Sequence, residues 1–183
     1  MRGIFATLTL AFIAASGIAA ALVIAKPIDP PARGPQAAVW TELGWPFPLD
    51  PWGRGEAFRC SASDCGTEVN LYLRIKTGFC NCTAGVADDD DLGRISDAEL
   101  FGAELPPLSD GRAVVLAGMN GRARSHALAS GQGLWVAALH AQCDAVVATA
   151  VVALDQLPAV EPAVMSFLEG RLARRGAVAA LAR

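Results

Sequence analysis

The sequence has few charged residues and few of the residue types that usually carry catalysis. Charged side chains make up 18% of the 183 residues, the formal net charge is -3, and there are two histidines. Such a chain does not attract phosphate backbones, and with 53% hydrophobic residues it is too apolar for a largely disordered protein. We therefore expect a folded protein with no nucleic-acid partner.

The motifs of common catalytic and cofactor sites are also missing. The sequence contains no Gly-x-Ser-x-Gly elbow, no His-Glu-x-x-His motif, no phosphate-binding glycine loop and no Cys-x-x-Cys. His140 lies three residues before Cys143, but no third residue that would orient such a pair accompanies it. The sequence thus predicts no catalytic residue and no cofactor, with copper and calcium as weak alternatives.

A long uncharged run opens the chain. From Gly3 to Ala25 there are 23 consecutive residues without a charge. A helix of that length spans roughly 34 Å, enough to cross a membrane, and the small residues at its end also suit a cleavage site. Residues 1–25 are therefore interpreted as a signal peptide or as an N-terminal membrane anchor through residues 4–25. Either places the rest of the chain outside the cytoplasm, in the periplasm or held at the inner membrane.

A proline-rich linker is expected over residues 26–37, followed by a single disulfide-stabilised exported domain over residues 38–183. The domain begins with three tryptophans, Trp40, Trp45 and Trp52, and three prolines lie between the last two. These rings either cover the core or form an exposed patch that binds a partner. Both interpretations remain open at this point.

Alternating and apolar runs predict an antiparallel sheet. Residues 68–76 alternate strictly between apolar and polar, as in a half-buried strand, and residues 79–82 are expected to return beside it. Four later runs predict a meander, with an Asn120-Gly121 hairpin turn and the last run at the centre of the sheet. These runs cover residues 113–119, 122–129, 134–140 and 145–154.

Helical signals complete the prediction of the fold. Pro162 suits a first helical position, and apolar residues at helical spacing predict a helix from about residue 162 to 175 with Arg171 and Arg174 near its end. Ser96 begins a capping box, which predicts a short helix near residues 96–102. The expected class is α+β: an antiparallel meander with a C-terminal helix packed on one face, after the N-terminal signal or anchor helix.

The cysteines favour disulfides, as is usual in an exported chain. There are five, an odd number: Cys60, Cys65, Cys80, Cys82 and Cys143. We predict that Cys60 pairs with Cys65, and that Cys80 or Cys82 pairs with Cys143. The Cys80-Asn81-Cys82 run could instead exchange a disulfide or hold Cu(I).

A run of aspartates gives a weak calcium pattern. Asp88, Asp90 and Glu99 match positions 1, 3 and 12 of a calcium-binding loop, although Leu92 occupies a position that needs an oxygen ligand. We interpret the aspartates as a solvated loop before the Ser96 capping box.

The sequence therefore predicts a non-catalytic binding or accessory protein of the cell envelope. Its partner would be an envelope protein or a small ligand that contacts the segment holding Trp40, Trp45 and Trp52. The alternative is an exported thiol-redox or copper-handling protein that uses Cys80 and Cys82.

Overall fold

The structure, a computed structural model, describes residues 38–78, 84–103 and 105–174. Within them, seven strands form one antiparallel sheet in the order β1-β2-β3-β7-β6-β5-β4. The strands are β1 (Trp40–Leu43), β2 (Glu56–Cys60), β3 (Val69–Lys76), β4 (Arg112–Leu116), β5 (Met119–Ala127), β6 (Gln132–Ala141) and β7 (Asp144–Ala153), and the helices are α1 (Ala62–Cys65), α2 (Asp89–Ile95) and α3 (Leu157–Arg174). The α+β class, the meander and the C-terminal helix are confirmed.

Several predictions fall on residues outside this range. The signal or anchor helix at residues 1–25, the linker at residues 26–37 and the return of residues 79–82 all lie outside the described residues. Among the described residues, no helix is both long enough and apolar enough to span a bilayer.

The larger hydrophobic core lies between the sheet and α3. The buried side chains of α3 recur every three or four residues, so they form one stripe along the helix: Leu157, Val160, Val164, Leu168 and Leu172. This stripe belongs to the same buried cluster as Val69, Leu71 and Leu73 of β3. The alternation in β3 therefore predicted which of its faces meets the core.

The opposite face of the sheet is covered by residues 86–101. Val86, Leu92 and Ile95 form a second buried cluster with side chains of β6 and β7. Because both faces are covered, β7 is buried along nearly its whole length at the centre of the sheet. The expectation of a half-buried β3 is wrong for the same reason, since Arg74 and Lys76 on its polar face are only 1% and 3% exposed.

The turn between β4 and β5 differs from the prediction. Ala117 and Gly118 form it, with φ angles of 50° and 77°, whereas Asn120 and Gly121 lie within β5. Positive φ at both central residues is the geometry that Asn-Gly favours, so the turn type was predicted correctly and its place was wrong.

Burial explains the shift of this turn. The observed register pairs Leu116 with Met119 on the core face, whereas a turn at Asn120-Gly121 would pair Met119 with Arg122 and bring an arginine to that face. Gly121 is needed inside the strand instead, because a Cβ there would overlap the carbonyl oxygen of Ala138 on β6.

The C-terminal helix begins earlier than predicted. α3 starts at Leu157 instead of Pro162, because Leu157 and Val160 extend the buried stripe and packing supplies most helix stability. Pro162 therefore lies inside α3, where its missing N–H costs one helical hydrogen bond.

The predicted short helix at residues 96–102 is also wrong. The helix is α2, which ends just before Ser96, and only a 3-10 turn at Ala98–Leu100 follows. Asp88 caps α2 by accepting the Asp91 N–H at 2.8 Å, and three further aspartates lie in its first turn, near the positive end of the helix dipole. The aspartate run is thus the start of a helix, not a solvated loop.

Candidate functional site

The predicted metal ligands are not brought together. Asp88 caps α2, while Asp90 and Glu99 are exposed on α2 and on the following 3-10 turn. Among the residues that the structure describes, no three His, Cys, Asp or Glu side chains converge on a point that could hold a metal ion.

The other two aspartates of the run hold neighbouring segments in place. Hydrogen bonds from the Arg122 side chain and the Gly111 N–H lower the pKa of Asp89. The pKa of Asp91 is lowered chiefly by the Ala87 N–H, which donates to its carboxylate at 3.1 Å. Their negative charge therefore serves the fold, by tying the start of α2 to the meander and to the segment before it.

The cysteines occupy two settings. Cys60 and Cys65 form the predicted disulfide, which connects β2 to α1. Cys143 is also disulfide-bonded, and its partner lies outside the described residues. Cys80 and Cys82 fall in the same undescribed stretch, so the copper or thiol-redox alternative stays a prediction.

Both histidines bind backbone groups. His126 Nδ1 donates to the Leu105 carbonyl at 2.9 Å, and His140 Nδ1 accepts the Val86 N–H at 3.3 Å. A nucleophilic pair of His140 with Cys143 is wrong, because the sulfur of Cys143 is in a disulfide and no thiolate can form. Each histidine has a structural role.

The three N-terminal tryptophans lie in different environments. Trp40 stacks on Phe167 of α3 with ring centroids 4.7 Å apart, and Trp45 meets Tyr72 edge-on at 6.1 Å. Trp52, in the β1–β2 loop (residues 44–55), is 41% exposed. Of the three candidate contact residues, Trp52 is the most exposed, whereas Trp40 and Trp45 are half-buried.

Three buried charged residues, Arg74, Lys76 and Asp97, form a network with the more exposed Asp50 of the β1–β2 loop. Asp97 lies between the two cations of β3, with its carboxylate 2.8 Å from Lys76 Nζ and 3.2 Å from Arg74 Nε. Arg74 also forms an ion pair with Asp50 of the loop. Two acids thus balance two cations, which is how buried charges are tolerated.

This network also positions the loop. The Lys76 ammonium lies 5.4 Å from the centroid of the Trp52 ring, within cation–π distance. Asp50 accepts the Trp52 N–H at 2.8 Å. Burial alone would raise the pKa of Asp50, but the hydrogen bonds from Arg74 and from the Trp52 N–H lower it below 3.8. Asp50 is therefore charged at neutral pH, and it accepts the Trp52 N–H with its side chain and the Gly53 N–H with its carbonyl.

A pocket of about 300 Å³ opens beside Trp52, on the α3 face of the sheet. Its apolar wall comes from the ends of β3 and β7 and from α3, through Leu73, Ile75, Val146 and Leu172. The pocket, which we call the Trp52 pocket, combines an apolar floor with an aromatic ring at its mouth. Concave apolar surfaces with a few polar groups are the usual form of small-ligand sites.

Positive charge lines the same pocket. Arg171 of α3 binds Glu56 at 3.2 Å, and its guanidinium lies 5.0 Å from the centroid of the Phe58 ring. Arg54 is exposed and makes no ion pair with any residue in the described ranges. Among the described residues of the lining, two arginines thus stand against one acid, Glu56.

Sequence reasoning missed the residues around Trp52. In the sequence, Arg171 is explained by its place near the end of the predicted helix, and no motif surrounds Arg54. One local signal was available: the Gly53-Arg54-Gly55 run after Trp52, in which a Cβ on Gly55 would overlap the Trp45 ring and the Leu73 carbonyl. A glycine that permits such close approach marks a packed loop rather than a loose one.

Comparisons with known proteins give a distant structural similarity. No protein-family model matches the chain, and no curated protein matches it. The fold is similar to the solution structure of cyanobacterial PsbP (CyanoP) from Synechocystis sp. PCC 6803, at 13% identity and a TM-score of 0.47, over 72% of this chain and 79% of that one. At this distance the similarity carries no function, which is therefore argued from the site.

Proposed function

We propose that the chain is an exported, non-catalytic binding domain of the cell envelope, and that its ligand contacts Trp52 at the mouth of the Trp52 pocket. The exposure of this indole beside a preformed cavity is the observation that carries the proposal. Tryptophan is favoured at binding sites because it buries a large area with few rotatable bonds.

Export is supported by the uncharged run of residues 3–25 and by the disulfides. The Cys60–Cys65 bridge and the disulfide at Cys143 are typical of proteins that mature in an oxidising compartment. The non-catalytic character is supported by the contacts of the groups that could otherwise act in catalysis. Asp50 and Asp97 neutralise buried cations, and both histidines bind backbone groups.

We expect the protein isolated from the envelope fraction of its host to carry a small molecule that the Trp52→Ala variant loses. Removing the indole takes away the aromatic surface at the pocket mouth, so the ligand-bound fraction should fall about tenfold or more. Native mass spectrometry of the full chain measures that fraction directly.

The matched control is Leu49→Ala. Leu49 belongs to the same loop and is 69% exposed, but it does not line the pocket. This variant should keep the ligand. Equal retention by Trp52→Ala, recovery of the protein from the cytoplasm alone, or a wild-type protein without a bound molecule would each refute the proposal.

A further inference from the structure

We propose that the Trp52 pocket takes a small organic carboxylate with an apolar body. This inference rests on the proposed binding function and names the ligand class of the same site. It combines two properties of the described lining residues: an excess of positive charge and an apolar surface.

The positive charge comes from two arginines, of which one is in an ion pair within the described residues and one is not. Arg171 is held in place by Glu56 and by the Phe58 ring, and its Nε is buried without a hydrogen-bond partner. Arg54 is exposed and makes no ion pair with the described residues. Glu56 is the only acid among the described residues of the lining, so one positive charge of this set remains for an anionic group, and the guanidinium geometry matches a carboxylate.

The apolar floor distinguishes this ligand from a bare inorganic anion. The apolar part of the lining consists of Leu73, Ile75, Val146 and Leu172, and an ion surrounded by water gains nothing from such a surface. The volume of about 300 Å³ lies at the lower end of the range for small-molecule sites. A short aliphatic or aromatic acid has a carboxylate that can pair with an arginine and an apolar body that can pack on the apolar residues of the lining.

The test compares hexanoate with hexanamide, which has the same carbon skeleton and no charge. Isothermal titration calorimetry is performed on the full chain as recovered after export, with inorganic phosphate as a third probe. We expect hexanoate to bind with a Kd near or below about 1 mM, and hexanamide and phosphate to bind about tenfold or more weakly.

Charge-removing variants locate the binding. Arg54→Gln should weaken hexanoate about fivefold to tenfold and reduce its dependence on salt. Arg59→Gln is the matched control, because Arg59 is an exposed arginine of β2 that pairs with Glu68 and does not line the pocket; this variant should bind like the wild type.

Two results would overturn the inference: equal affinity for hexanoate and hexanamide, or no saturable binding of hexanoate. If Trp52→Ala still releases a co-isolated molecule in that case, the ligand class is wrong and the binding function stands. If no co-isolated molecule is found either, both proposals fail together.

Discussion

Replacing Asp97 by asparagine is expected to lower the free energy of unfolding by about 3–5 kcal/mol. Asp97 is the carboxylate between Arg74 and Lys76, which are 1% and 3% exposed. Without that charge, the contacts of Lys76 within the described residues are all neutral: the Ser96 carbonyl, the Trp52 ring and the amide of the substituted side chain. A buried cation without a counter-charge is far less stable than one in water. Urea unfolding at neutral pH measures the loss.

Two further variants identify the cause of this loss. Glu68→Gln breaks the Arg59–Glu68 pair, in which both side chains are at least half exposed, and should cost less than about 1 kcal/mol. Adding Lys76→Met to Asp97→Asn removes the unbalanced cation and should recover part of the stability. A loss below 1 kcal/mol for Asp97→Asn would mean that the network does not support the fold.

Leu168→Ala is expected to cost about 2–5 kcal/mol in the same experiment. Leu168 is fully buried in the middle of the α3 stripe, so its truncation leaves a cavity between the helix and the sheet. The cost includes both the lost burial and the cavity, because a packed sheet and helix relax only in part.

The control for this prediction lies on the same helix. Ser166 is exposed on α3, and Ser166→Ala should change the free energy of unfolding by less than about 0.5 kcal/mol. If Leu168→Ala were no more destabilising than Ser166→Ala, α3 would not pack on the sheet as described.

The sequence predicted those elements whose pattern is local. The alternation in β3 and the apolar run of β7 indicated strands, and the meander followed from short joins such as Ser130-Gly131 and Gln142-Cys143. The hairpin turn was misplaced because Asn120-Gly121 has the stronger local turn preference, while the core-facing register of Leu116 and Met119 decides where the chain turns.

Features that depend on distant segments could not be predicted. The burial of Arg74 and Lys76 arises because residues 86–101 and the β1–β2 loop cover a face that looks polar in β3 alone. The same holds for the Trp52 pocket, whose lining joins residues of β2, β3, β7 and α3 that are far apart in the chain. The cluster of tryptophans can be read from the sequence, but the proximity of Arg171 to Trp52 cannot.

The central claim, that a ligand contacts Trp52, is tested most directly by ¹⁹F NMR of the protein labelled with 5-fluorotryptophan. The chain has four tryptophans, and Trp52→Phe assigns the resonance of Trp52. On addition of a small-molecule extract of the host envelope, we predict that the Trp52 resonance shifts while those of Trp40, Trp45 and Trp135 stay in place. A shift confined to the other three, or no shift at all, would contradict the account.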